Sequence, residues 1–109
     1  MLIKLIPVIL LGLTCTAHSI TWKDSAYTEI NHLYPVSSGL AFYTTYADAS
    51  VSACDSGKRF IIPLTADNYD TKVSSLMAAF MANKKILLRY DSDQPRSCAA
   101  VVDRFLIAR

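Results

Sequence analysis

The first nineteen residues constrain this chain most, because they decide how much of it is left to fold. Met1-Leu2-Ile3-Lys4 is a short basic start, and Leu5 to Leu13 is an apolar run broken only by Pro7 and Gly12. Thr14 to Ser19 then turns small and polar. Charged, apolar, small is the order of a secretory signal peptide. The apolar run is too short for a membrane span, which needs about 20 residues. Ala17 and Ser19 suit the −3 and −1 positions of a cut before Ile20, and a cut after Ala17 is the other option. A lipoprotein anchored at Cys15 is the rival reading, against which stands Gly12, where a lipobox wants leucine. The expectation is a signal peptide over residues 1–19 and one secreted or periplasmic domain over residues 20–109, not membrane-spanning.

Cleavage changes the cysteine arithmetic. The chain has three cysteines, and losing Cys15 leaves Cys54 and Cys98. In an oxidising compartment such a pair is expected to form one disulfide. The loop it closes makes that bond worth roughly 4 kcal/mol, a large share of the stability of a small domain. Two buried free thiols are the alternative.

Leu40 to Tyr46 is rich in aromatic and β-branched residues and reads as a strand behind the turn Ser37-Ser38-Gly39. Glu29 to Tyr34 alternates weakly and is expected to stop at Pro35. Ser50 to Cys54 and Arg59 to Leu64 read as strand pieces around the turn Asp55-Ser56-Gly57-Lys58. Tyr69, Val73, Leu76, Met77 and Phe80 recur at helical spacing, with Asp67 as the expected N-cap and Asn83-Lys84-Lys85 suiting the C-terminal end. Ala78, Ala79, Met81 and Ala82 leave the last turns apolar nearly all round, which predicts a second buried face, that is, an oligomer interface. Ile86 to Tyr90 and Cys98 to Ile107 are the closing strands. No repeat or linker divides the chain. The fold expected is mainly β with one helix: an OB-fold, a five-stranded Greek-key barrel with the helix between strands 3 and 4. A helix packed on an open antiparallel sheet is the alternative.

Material for catalysis is sparse. After cleavage His32 is the one histidine left, no cysteine or histidine cluster has metal-ligand spacing, and Gly39 and Gly57 are isolated rather than part of a phosphate loop. The expectation is no enzyme activity, no metal and no cofactor. Ten Lys or Arg against nine Asp or Glu after cleavage leaves no electrostatic footprint for nucleic acid. Six tyrosines and one tryptophan suit the binding of polar, ring-shaped ligands, and equally suit simple packing.

Several segments, taken in order, resemble the B subunits of the pertussis-like pentameric toxins, those of subtilase cytotoxin and typhoid toxin among them. They are Trp22, Ser38-Gly39 opening an apolar strand, Cys54 followed by Gly57-Lys58, an Ala-rich helix ending in Asn83-Lys84-Lys85, and the strand Ile86 to Tyr90. The resemblance implies an OB-fold that assembles as a homopentamer, binds sialylated or related host glycans and carries an enzymatic A subunit. It implies a sugar-binding role for Ser38 and for Tyr90. Arg59 stands where the subtilase relative has a helpful glutamine, and an arginine there suits pairing with a sugar carboxylate. The helix face Ala78, Ala79, Met81 and Ala82 would then face sister subunits. The competing reading is a stand-alone periplasmic OB-fold binding or inhibitor protein, and a small secreted hydrolase ranks behind both.

Overall fold

A computed structural model describes residues 20–109; the segment expected to be a signal peptide, with Cys15, lies outside the described residues. Among the described residues the architecture is mainly β with one helix: seven strands in two sheets. The strands are β1 (Trp22–Asp24), β2 (Ile30–Val36), β3 (Gly39–Thr44), β4 (Arg59–Pro63), β5 (Ile86–Asp91), β6 (Ala100–Val101) and β7 (Arg104–Ile107). The helix α1 (Tyr69–Met81) joins β4 to β5. One sheet has the order β2-β3-β4-β6 and the other β1-β5-β7. All pairings are antiparallel except β4 with β6, which is parallel.

The expected single five-stranded barrel is replaced by these two sheets because the outer segments of the chain change partners midway. Val102 donates its backbone N–H to Ile61 of β4, and the next residue, Asp103, donates to Arg89 of β5. Near the start, Ser25 and Thr28 bond to Leu88 and Ile86, after which Ile30 pairs with Thr44 of β3. Each long extended segment is thereby split in two, β1 from β2 and β6 from β7.

Alternation places Leu40 and Phe42 of β3, Phe60 and Ile62 of β4, and Ile86, Leu88 and Tyr90 of β5 on inward faces. Leu76 and Ala79 of α1 close this core from outside, packing with Val51, Ala100 and Val102. The helix lies against β4 and β2. It ends in a Schellman arrangement, Lys84 N–H to Ala79 O and Asn83 N–H to Phe80 O, with Asn83 left-handed at φ 55°. Its start differs from expectation: Asn68, not Asp67, is the capping residue, and it makes no side-chain cap bond.

Two other local expectations are corrected, and the expected turn at Asp55 to Lys58 is found. Pro35 lies inside β2, which is tolerated because β2 is an edge strand and a missing N–H costs the sheet nothing there. Ser50 to Cys54 is a turn rather than a strand, tied by a single parallel bridge from Ser52 to Ser97. The segment Asp55–Gly57 is a short 3-10 turn. Its Gly57 sits at φ 84°, and a side chain there would come within 2.7 Å of the Ala49 backbone nitrogen. The expected Cys54–Cys98 disulfide is formed, with Cα atoms 4.7 Å apart.

Candidate functional site

The outward face of the β2-β3-β4-β6 sheet carries the most concentrated chemistry. Strand register puts Tyr43 opposite both His32 and Arg59, and Ala41 opposite both Tyr34 and Ile61. Arg59 points out of β4, and its guanidinium lies over two tyrosine rings, 5.0 Å from the centre of Tyr43 and 5.6 Å from that of Tyr34. Its Nε donates to Asp55 at 2.7 Å and its Nη2 to the Tyr43 hydroxyl at 2.6 Å. Its Nη1 donates to the Cys98 sulfur at 3.1 Å. Partial burial opposes the charge, but Asp55 and Tyr43 outweigh it and hold the group more firmly cationic than usual. A guanidinium has five N–H donors, so this fixed cation keeps donors to spare.

Ser38 is at the tip of the two-residue turn between β2 and β3, exposed. Its carbonyl is held by the Leu64 N–H. Ser38 and Arg59 line one cavity of about 440 Å³, together with Tyr34, Ile61, Ala99 and Val101. That volume is within the range of small-molecule sites. Two of the three residues singled out for sugar binding are thus brought together.

Tyr90 is elsewhere. It is fully buried in the core, and its hydroxyl donates to Asp48 Oδ2 at 2.5 Å. The Tyr46 hydroxyl is 2.7 Å from that of Tyr90. Because Tyr90 spends its proton on Asp48, Tyr46 must donate to Tyr90. Burial and this carboxylate push the Tyr90 phenol far above its ordinary pKa. Burial would raise the Asp48 carboxyl too, but hydrogen bonds from Ser50, Tyr90 and Lys23 overcome it and bring Asp48 down to about 2. The result is a relay of fixed polarity, Tyr46 to Tyr90 to Asp48, capped by Lys23 at 3.2 Å.

The four apolar helix positions also divide. Ala79 is buried against the domain's own core, whereas Ala78, Met81 and Ala82 are exposed, Met81 at 81 %. Met77, one turn before Met81, is exposed as well.

Tyr34 and Tyr43 are the site residues that sequence reading passed over. Their shared signal is period-2 placement on one face, with Arg59 reaching them only through the register of β3 with β4. Among the described residues no helix is long and apolar enough to cross a membrane. No family model, curated protein or solved structure matches the chain.

Proposed function

We propose that this chain is a secreted glycan-binding subunit, acting as a homopentamer that recognises sialylated or related acidic host glycans and carries an enzymatic A subunit. The single observation that carries the reading is the cavity shared by Ser38 and Arg59. A cation fixed over tyrosine rings offers free N–H donors for a carboxylate, and an exposed serine hydroxyl and the Tyr34 ring border the same space. Supporting the OB-fold part of the reading are the parallel β4–β6 pairing and the two points at which the chain passes between sheets. Supporting self-association is the exposed apolar face Met77, Ala78, Met81 and Ala82, contiguous at helical spacing.

Ser38→Ala tests the site cleanly, since the hydroxyl is exposed at a turn. On a glycan array the wild-type protein is expected to bind glycans ending in an acidic sugar, and Ser38→Ala to lose at least about tenfold in affinity. Unchanged binding would remove Ser38 from the site. Sizing the purified protein tests the assembly; a monomer at micromolar concentration would favour the stand-alone binding module. One observation favours that second reading: Tyr90 is buried with its hydroxyl satisfied, so no tyrosine from β5 reaches the cavity.

A further inference from the structure

The Cys54–Cys98 disulfide has unlike surroundings at its two ends. Cys98 is exposed and belongs to the wall of the cavity that Ser38 and Arg59 line, whereas Cys54 is half-buried and lies outside that wall. The Nη1 of Arg59 donates to the Cys98 sulfur at 3.1 Å, and no side chain among the described residues hydrogen-bonds to the Cys54 sulfur. The guanidinium is pinned in that position. Asp55 and the Tyr43 hydroxyl hold its Nε and Nη2, and it lies over two tyrosine rings. The backbone around the disulfide is also held without it. Ala53 and Cys54 donate to the carbonyls of Ser97 and Cys98, Ser97 donates to Val51, and Phe60 pairs with Ala100. These contacts keep the two cysteines side by side when the bond between them opens.

We infer that this disulfide is a thiol-exchange site with a set direction: a low-molecular-weight thiolate attacks the Cys54 sulfur, and Cys98 departs as a thiolate held by Arg59. In that step a bond forms between the incoming sulfur and Cys54, the Cys54–Cys98 bond breaks, and its electron pair leaves on Cys98. A second thiolate then attacks the incoming sulfur, releasing a small disulfide and a Cys54 thiolate that takes up a proton. The protein disulfide gains two electrons and the two thiols lose them. The direction follows from leaving-group chemistry. A cation beside a cysteine lowers its thiol pKa, and the sulfur with the lower pKa leaves faster. Asp55, the one carboxylate in contact with Arg59 among the described residues, offsets part of the positive charge. Its side chain is 37 % exposed, so solvent weakens that offset. The donor is in place before the bond breaks, and no rearrangement is needed to receive the new charge. The three sulfurs of such a displacement lie in line. The thiol therefore enters from the Cys54 side, where Ala53, Asp55 and Ser56 are exposed. Opening places a negative charge in the wall of the Ser38 and Arg59 cavity, whatever ligand that cavity takes.

The test exposes the oxidised, folded protein at neutral pH to 2-mercaptoethanol, a thiol with no charged group besides the reacting sulfur. Samples are quenched in acid, free thiols are alkylated, and peptide mass spectrometry locates the adduct. In the wild type the adduct is expected on Cys54 at least about fivefold more often than on Cys98, with the alkyl label on Cys98. In Arg59→Gln, opening is expected to slow about fivefold and the adduct to divide evenly between the two sulfurs. A folding defect works the other way, since a loosened chain exposes the bond and speeds its opening. Adduct divided evenly or lying on Cys98 in the wild type would overturn the inference. So would an Arg59→Gln rate equal to or above that of the wild type, or a wild-type bond that 2-mercaptoethanol does not open in the folded protein.

Discussion

Asp48 is a carboxylate only 9 % exposed, yet it stays ionised because Ser50, Tyr90 and Lys23 all donate to it. Its folded-state value of about 2 lies below the 3.8 of an unperturbed aspartate. The stabilisation is therefore complete above about pH 4 and is lost as pH falls toward 2, amounting to about 2 kcal/mol at neutral pH. Urea unfolding between pH 2 and 5 is expected to show this loss. In Asp48→Asn stability at pH 7 drops by a similar amount, and that part of the pH dependence disappears. None of this was legible in the sequence, where Asp48 sits in the unremarked stretch Ala47-Asp48-Ala49. Its significance comes from Lys23 and Tyr90, which are distant along the chain. The same distance explains why the sugar-binding role that the resemblance implies for Tyr90 does not hold: the period-2 pattern of Ile86, Leu88 and Tyr90 puts it inward, and Asp48 satisfies its inward hydroxyl. Ser38 and Arg59 entered only through the resemblance; the turns beside them mark a surface but carry no ligand signal of their own.

At the level of elements, the segments with a strong internal pattern came through and those set by partners did not. β3, β4, β5 and the core-facing stripe of α1 follow directly from alternation or helical period. By contrast, Ser50 to Cys54 has a strand's composition but is held as a turn by Asp48, which accepts from the backbone N–H groups of Ser50, Val51 and Ser52 through its side chain or carbonyl. Pro35 ends a strand only where the N–H is needed, and edge position removes that need. The helix shows the limit of pattern reading most clearly. Its apolar positions all look alike in sequence, yet Ala79 belongs to the core and Met81 to the surface. If α1 packs on sister subunits as proposed, Met81→Asp places a charge in that contact. The variant is expected to elute as a monomer in sizing chromatography at concentrations where the wild type is assembled. Its thermal unfolding as a monomer is expected to stay within about 0.5 kcal/mol, since an exposed side chain contributes little to the fold.

For the whole molecule, the disulfide joins residues 44 apart in sequence, and the chain-entropy model assigns it roughly 4 kcal/mol. Cys54→Ser with Cys98→Ser is expected to lower the melting temperature by more than about 15 °C, read by circular dichroism. The loss is expected to exceed that of a distant surface substitution because Arg59 also gives up its contact with the Cys98 sulfur. The pairing itself was legible from counting cysteines; its closeness to the cavity at Ser38 and Arg59 was not, because it depends on the turn that carries Cys98 folding back beside β4. The staple's position has another consequence. Cys54 and Cys98 lie between the bridge of Ser52 to Ser97 and the parallel ladder of Phe60 with Ala100. Parallel pairing across such a long loop is among the slowest contacts for a chain to find, since its entropy must be lost before any ladder bond forms. In the oxidised chain that loop is closed before folding begins. The bond therefore governs tempo as well as endurance: a newly made chain reaches its final topology quickly only after its two cysteines have met.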